Sequence, residues 1–258
     1  MSRISKLAGS CAVLAAGLLF PAAASAEEEP PAVPQLVPSA TVGAETDFQS
    51  RYLWRGLALS RGPVSQSSVW ITSRDFTLSF WGSSSQGGTA RSHAFDEIDY
   101  TLSYERQQGK LTIEPSILHY SYPNPRSGAA TTEAAVKLSY PLGPVSLFTD
   151  HALDIARYRG AYFGQIGVSF ERELTSNLSL EATLAAGWGS RRFNEANFGA
   201  ARSTLGAATG DLAITWAHRK GYYVRPHVSV SSLLDGRLRR RVKEPGLVSF
   251  GVAVGAEF

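Results

Sequence analysis

Cysteine is almost absent from this chain of 258 residues, which contains only Cys11. Cys11 lies in an apolar stretch that follows Arg3 and Lys6 and ends at Ala24-Ser25-Ala26. A basic start, a short apolar run and an A-x-A sequence are typical of a secretory signal peptide, here residues 1–26. We therefore expect a mature chain without cysteine, which excludes disulfide bonds and Cys-based metal sites.

Long apolar runs and an excess of one charge are also missing. After the leader, no stretch approaches the roughly eighteen consecutive apolar residues of a membrane-spanning helix. The chain has 25 Lys and Arg residues against 22 Asp and Glu, and two of the basic residues lie in the leader. This near balance argues against a nucleic-acid partner. The chain also has no nucleotide, metal or phosphate-loop motif, so we expect no cofactor.

Segments of alternating apolar and polar residues make up most of the remaining chain. Each has about ten residues, the length that a tilted strand needs to cross the hydrocarbon layer. Such strands hide their apolar face by alternation, so the composition of a barrel looks soluble. We therefore predict an all-β fold, a single transmembrane antiparallel up-and-down β-barrel of about 12 strands over residues 41–258. Residues 27–40 are predicted to form a Pro-rich periplasmic tail before it.

The connections between these segments alternate in length. Short ones such as Arg74-Asp75 and Glu173–Thr175 alternate with longer ones such as Gly56–Pro63 and Ser190–Gly206. Short periplasmic turns and longer outer loops are typical of outer-membrane barrels. An even number of strands then places both ends of the chain on the periplasmic side.

Arginine is concentrated in the longer connections. Arginine binds phosphate with two parallel hydrogen bonds, and the outer leaflet of a Gram-negative outer membrane is rich in lipopolysaccharide phosphates. We therefore predict a lipopolysaccharide contact at the most basic run, whose members are Arg237, Arg239, Arg240, Arg241 and Lys243. The alternative is that this run is solvated surface charge.

Aromatic residues lie near both ends of the predicted strands. The outer set is Tyr52, Trp54, Tyr120 and Trp188, and the periplasmic set is Tyr104, Tyr140, Phe170, Trp216, Tyr222 and Phe258. An apolar ring with a polar tip suits the headgroup layer, so we expect both sets to form girdles that face lipid.

The end of the chain, VSFGVAVGAEF, alternates strictly and finishes on an aromatic residue. This arrangement resembles the closing strand of bacterial outer-membrane barrels. The resemblance implies that Phe258 is an assembly signal read by the barrel assembly machinery.

A second resemblance lies near the start of the predicted barrel. The segment DFQSRYLWRG, residues 47–56, is followed by GPVSQ at residues 62–66. It resembles the opening of the TorF-type porins, which has an S-R-Y-x-x-R-G core and a downstream P-x-x-Q. The core is matched by Ser50, Arg51, Tyr52, Arg55 and Gly56, whereas residues 57–59 are Leu-Ala-Leu instead of a polar stretch. The resemblance implies a porin-type barrel in the outer membrane and says little about the solute.

Alternation also predicts which side chains face the lumen, and this set is mostly acidic. The predicted pore-lining residues are Glu45, Asp47, Arg51, Arg55, Glu97, Asp99, Glu105, Glu114, Glu171, Glu181, Asp211 and Arg225. Acidic rings favour cations in pores. On the first strand, we expect Phe48, Tyr52 and Trp54 to face lipid, opposite this lumenal set.

These patterns predict a porin-type barrel, not an enzyme, that lets small solutes diffuse passively with a bias toward cations. Outer-membrane lipid, lipopolysaccharide, the barrel assembly machinery and small solutes are the expected partners. One alternative is a structural or adhesive barrel with a plugged lumen. Another is an outer-membrane lipid hydrolase that uses His227 and Ser229, which lie two residues apart on one strand face.

Overall fold

A computed structural model describes residues 40–86, 95–123, 129–218 and 221–258. The predicted signal peptide and residues 27–39 of the predicted tail lie outside these described residues. Within the described part of the chain, no helix is both long and apolar enough to cross a membrane.

Twelve antiparallel strands close into a barrel. They are β1 Ala40–Gln49, β2 Val64–Ser73, β3 Phe76–Ser85, β4 Glu97–Tyr104 with a continuation at Arg106–Gln108, β5 Leu111–Ser121, β6 Thr131–Leu142, β7 Val145–Asp154, β8 Tyr162–Thr175, β9 Leu178–Gly189, β10 Thr204–Ala217, β11 Tyr222–Leu233 and β12 Gly246–Glu257. Each strand pairs with its neighbours in sequence, and β1 pairs with β12. The prediction of an all-β up-and-down barrel is confirmed.

The barrel has a turn end and a loop end. The first residues of β1 and the last residues of β12 lie at the turn end. There the backbones of Val42 and Phe258 exchange two hydrogen bonds of 2.9 Å. The connections at the turn end cover residues 74–75, 109–110, 143–144, 176–177 and 218–221. Those at the loop end cover residues 50–63, 86–96, 122–130, 155–161, 190–203 and 234–245. The predicted sorting of short and long connections is therefore present.

Side chains alternate between the outer surface and the lumen. On β12, Phe250 is 64% exposed, whereas its neighbour Ser249 is fully buried. Large apolar side chains stay exposed on the outer surface all around the barrel, as at Phe48, Val69, Phe80, Leu102, Ile117, Ile166, Leu184, Leu212, Val230 and Val252. An apolar exterior with a polar interior is the arrangement of a membrane barrel.

The loop end contains three further elements. A small hairpin pairs Leu53–Trp54 with Leu57–Ala58, α1 spans Arg191–Phe198 and α2 spans Gly236–Arg239. The hairpin turns at Arg55 and Gly56, whose φ angles of 46° and 92° are both positive. Positive φ at both central residues is the type I′ turn that suits tight hairpins, and glycine adopts it without steric cost.

The aromatic girdle is present at the turn end, where Tyr140, Trp216, Tyr222 and Phe258 are exposed on the outer surface. At the loop end the expectation is wrong for Tyr52 and Tyr120, which are 5% and 3% exposed. It is also wrong for Trp54, which packs against buried residues inside the barrel. For Tyr52 and Trp54 the physical reason is that β1 ends at Gln49, so the alternation of the strand does not continue to residues 52 and 54. Tyr120 lies on β5, where it shares the buried face with Leu118 and faces the lumen.

Candidate functional site

Acidic side chains of β1 meet basic side chains of β11 inside the lumen. The Glu45 carboxylate accepts hydrogen bonds of 2.8 and 2.9 Å from Arg225 Nη2 and one of 2.7 Å from the Tyr223 hydroxyl. His227 Nε2 lies 3.0 Å from both carboxylate oxygens of Asp47. These acids are thus largely compensated within the barrel wall.

Glycines on β12 make these contacts possible, because β12 lies between β1 and β11. A Cβ atom at Gly251 would lie 2.3 Å from His227 Nε2, and one at Gly255 would lie 2.4 Å from the Tyr223 ring. Only hydrogen at these positions lets the side chains of β11 cross over β12 to reach β1. The glycines of β12 therefore leave space for the side-chain contacts between β11 and β1 inside the barrel.

The candidate hydrolase pair does not have the geometry of a nucleophile and its base. Ser229 Oγ donates to Asp211 Oδ1 at 2.6 Å, while His227 contacts Asp47. A base that activates a nucleophile must lie within hydrogen-bond reach of it.

His151, for which the sequence suggests no partner, bonds with Thr149 Oγ1 and Tyr162 on the outer surface at 2.9 and 2.6 Å. The Thr149 hydroxyl also donates a hydrogen bond of 2.9 Å to the carbonyl oxygen of Gln165. His151 is then the donor to Thr149, and this cluster is not poised for nucleophilic catalysis.

A buried ion pair holds the hairpin inside the loop end. The two terminal nitrogens of Arg55 donate to the two carboxylate oxygens of Glu133, each at 2.8 Å. The Tyr120 hydroxyl also donates to Glu133, at 2.9 Å. The Arg55 guanidinium carbon lies 4.7 Å from the Trp54 ring centroid and 4.6 Å from that of Phe163, so the cation is sandwiched by aromatic rings.

An apolar cluster lies next to this ion pair, and we call it the loop-end core. Its buried members are Ala161, Phe163, Phe193, Phe198, Ala200, Ala207, Leu233 and Leu238, and Trp54, Leu57 and Val242 pack against it. Helix α1 contributes Phe193 and Phe198, and it is fixed by a Ser190 N-cap and a left-handed Gly199 at its end. The loop-end core therefore fills part of the barrel mouth.

The unfilled part of the mouth is a cavity of about 530 Å³, which we call the vestibule. Its wall is rich in aromatic and acidic side chains. The aromatic ones are Tyr52, Trp54, Tyr120, Tyr122, Tyr158 and Phe193, and the acidic ones are Asp96, Glu97, Glu133 and Asp154.

Two acidic residues of β4 lack the arginine partners that Glu45 and Glu133 have. Glu97 lines the vestibule and accepts hydrogen bonds from the hydroxyls of Tyr52 and Tyr122. Asp99 is next on the same inward face, and its Oδ1 has no hydrogen-bond partner among the described residues. Across residues 40–86, 95–123, 129–218 and 221–258, neither carboxylate forms an ion pair with a basic side chain.

The other predicted pore-lining residues occupy varied positions. Glu181 and Arg225 are buried in the lumen, Asp211 is half-buried there, and Glu114 lies inward on β5. Glu105 interrupts β4 and is exposed, and Glu171 is exposed near the turn end. Arg51 corrects the expectation, because it lies in a loop-end connection and pairs with Glu244 instead of lining the strand wall.

The predicted lipopolysaccharide contact lies at the loop end, and its five basic residues are all exposed. One of them has a structural role as well. Arg239 Nη1 donates to the carbonyl oxygen of Leu233 at 2.9 Å and so ties α2 to the end of β11. The side chains of the other four residues form no hydrogen bond with another described residue.

Comparisons with known proteins give structural likeness only. No protein-family model matches the chain, and no curated protein matches it, so the likeness to TorF-type porins stays a prediction. The solved structure of the KdgM porin in complex with disordered oligogalacturonate has a TM-score of 0.51 and 10% identity, covering 84% of this chain and 99% of that one. The NanC porin has a TM-score of 0.52 and 12% identity, covering 84% and 98%. At these identities the likeness shows the fold, that of porin-type outer-membrane barrels.

Removing the charge of Arg55 should destabilise the barrel strongly. The variant Arg55→Met leaves the Glu133 carboxylate buried without its cation, a change that costs about 3–5 kcal/mol. The double variant Arg55→Met/Glu133→Gln should lose less, because no uncompensated charge remains. The measurement is urea unfolding in lipid vesicles, followed by tryptophan fluorescence.

Arg51→Met is the matched control, since it breaks the exposed pair with Glu244 and should cost at most about 1 kcal/mol. If Arg55→Met unfolds at the same urea concentration as Arg51→Met, the buried pair does not hold the hairpin in place.

Proposed function

We propose that the protein is a narrow outer-membrane channel of the porin type, through which small solutes diffuse passively with a bias toward cations. The observation that carries this proposal is a closed barrel whose mouth holds a vestibule lined by Glu97, with Asp99 next on the same inward face of β4. The porin-type fold of the solved neighbours supports it.

The preference for cations over anions follows from the lumenal charges that have no partner of opposite charge. Glu45 and Glu133 each pair with an arginine, so their contribution to the field in the lumen is small. Asp47 is held by contacts with His227 and Gln49. Glu97 and Asp99 have no basic partner among the described residues, and they sit within low-dielectric walls that strengthen their field. Cations are then concentrated at this wall and anions are repelled.

This charge pattern bears on the class of solute. The KdgM porin is seen with oligogalacturonate, a polyanion of sugar acids. A vestibule lined by Glu97, with Asp99 beside it on β4, would repel such a ligand. We therefore propose a solute preference of the opposite charge for this chain.

Neutralising the β4 wall should reduce cation selectivity. In a planar bilayer with a potassium chloride gradient, Glu97→Gln/Asp99→Asn should move the reversal potential toward that of chloride. The shift should be larger at low salt, because the screening length is about 30 Å at 0.01 M and about 3 Å at 1 M. The control Asp75→Asn/Glu195→Gln removes two exposed carboxylates that do not lie on β4, and it should leave the potential unchanged.

A reversal potential that is equal in both variants and the parent would contradict the assignment of selectivity to β4. The loop-end core favours a second candidate, a structural barrel with a plugged lumen. A folded protein that shows no conductance at any salt concentration would establish that second function.

We propose that the loop end faces the exterior and that its exposed basic residues hold lipopolysaccharide. Replacing Arg240, Arg241 and Lys243 with Gln should reduce the lipopolysaccharide that co-purifies with the folded protein, because each loses a phosphate ligand. Arg239 is left intact because it supports α2.

The control for this experiment removes three exposed basic residues from the turn half of the barrel, Arg106, Lys110 and Arg172. Equal lipopolysaccharide content in both variants would reduce the loop-end run to solvated charge.

We propose that the Phe258 ring is recognised during assembly. The ring is 68% exposed, so it contributes little to the folded barrel, whereas the Phe258 backbone pairs with Val42. Phe258→Ala keeps this backbone pairing and should lower the amount of heat-resistant barrel in cells, without changing unfolding in vesicles.

Phe250→Ala removes a similarly exposed ring from the same strand and should assemble normally. Equal assembly of the two variants and the parent would show that Phe258 is not a signal.

A further inference from the structure

We propose that the vestibule is a binding site for organic cations, with Glu97 and Asp99 facing the ammonium or guanidinium group and the surrounding aromatic rings enclosing it. This inference rests on the proposed channel function and deepens it, because it names the class of solute that the channel would take.

The acceptors of the site follow from the hydrogen bonds of the vestibule. Asp154 is already saturated, since it accepts from Thr131 Oγ1 at 2.5 Å and from the backbone of Ala156 and Tyr158 at 3.0 and 2.9 Å. Glu133 is engaged by Arg55 and Tyr120. Asp96, the fourth lining acid, accepts from the backbone N–H of Ser85 at 2.9 Å. Glu97 is therefore the lining acid that only tyrosine hydroxyls hold, and Asp99 lies next to it on the inward face of β4.

Their burial makes a positive ligand favourable. Glu97 is 5% exposed and Asp99 is 3% exposed, and Asp99 Oδ1 has no hydrogen-bond partner among the described residues. A buried carboxylate without a partner is costly, and its charge is compensated either by a proton or by a cation. The open cavity beside Glu97 gives a cation access to this pair.

The aromatic lining selects an organic cation over a hydrated metal ion. Tyr52, Tyr122 and Tyr158 lie around the cavity together with Trp54. Aromatic rings attract weakly hydrated cations such as alkylammonium and guanidinium groups. In contrast, no group of three or more His, Cys, Asp and Glu residues that could hold a metal ion exists within the described ranges.

The hydroxyls of Tyr52 and Tyr122 orient this lining. Both donate to the Glu97 carboxylate, so the acid and two aromatic rings form one unit in the wall. Tyr52 is further fixed by an edge contact with Trp81, with ring centroids 5.5 Å apart. The site is thus preorganised by contacts within the protein, which lowers the entropic cost of binding.

The contacts of Arg55 are an example, within the protein, of a cation held by a carboxylate and aromatic rings. The guanidinium of Arg55 is held between a carboxylate, Glu133, and the rings of Trp54 and Phe163. The vestibule offers an external cation a matching set of groups, with Glu97 in place of Glu133 and tyrosines in place of Phe163.

The test compares choline with 3,3-dimethylbutan-1-ol, which has the same shape and no charge, by titration calorimetry of the full-length protein in detergent at low salt. We expect choline to bind at least about tenfold more tightly than the neutral alcohol, because the alcohol lacks the cation–π and charge interactions. Glu97→Gln/Asp99→Asn should abolish this preference. The control Asp75→Asn/Glu195→Gln should retain it.

A second variant guards against misfolding of the first. Tyr158 lies in the connection between β7 and β8 and lines the vestibule. Tyr158→Leu removes a ring from the vestibule without changing charge and without taking a hydrogen-bond donor from Glu97. It should weaken choline binding several-fold and leave the heat resistance of the barrel unchanged.

Equal affinity for choline and the neutral alcohol, tight binding of a neutral disaccharide in their place, or no binding of any probe would each overturn the inference. Calorimetry does not depend on conduction, so the two proposals fail separately. Choline binding by a protein that never conducts would overturn the channel and keep the site. Cation-selective conductance without discrimination between choline and the alcohol would keep the channel and overturn the site.

Discussion

Closure of the sheet between β1 and β12 is the constraint on which the rest of the structure depends. In a bilayer every backbone N–H and C=O group must be satisfied within the protein, so a spanning sheet cannot have free edges. Pairing of β1 with β12 removes both edges and brings the two ends of the described barrel together. It also fixes which face of each strand is enclosed. The side chains of β1, β11 and β12 then form one wall of the lumen.

This closed wall divides the lumenal charges into two groups. Around the β1–β12 seam, the acids of β1 are held by Arg225, Tyr223 and His227. Tyr223 and His227 reach across glycines of β12. On the β4 side, Glu97 is held by tyrosine hydroxyls, and Asp99 Oδ1 has no hydrogen-bond partner among the described residues. Paired charges largely cancel each other's field, whereas the field of unpaired charges extends into the lumen. In the proposed channel, the β4 wall would therefore set the potential that a solute meets.

Much of this fold could be predicted from the sequence, because an up-and-down barrel pairs strands that are adjacent in the chain. Alternation and loop length therefore sufficed for the strand number and for the orientation of Phe48 and Phe250. The pairing of Glu45 with Arg225 could not be predicted, since it joins strands that are separated by β12 and depends on their exact register. The sequence placed both residues in the lumen but did not show that their charges cancel by direct contact.

The loop end was harder to predict, because its residues follow no strand periodicity. Tyr52 was expected to face lipid only because alternation was extended beyond Gln49. Two local signals were nevertheless present in the sequence. The Arg55-Gly56 pair suits a tight hairpin, and Ser190 and Gly199 suit the two ends of α1. No local signal indicates that the hairpin and the helix pack together in the barrel mouth.

The loop-end core and the vestibule are consequently parts of one arrangement at the barrel mouth. Trp54 and Phe193 contact the Arg55 guanidinium and also line the vestibule. The pair between Arg55 and Glu133 therefore sets how far the hairpin extends into the mouth, and so how much space remains beside Glu97. Because Glu133 compensates the charge of Arg55, the hairpin adds little positive field to the vestibule. The proposed preference for cations is therefore compatible with an arginine in the barrel mouth.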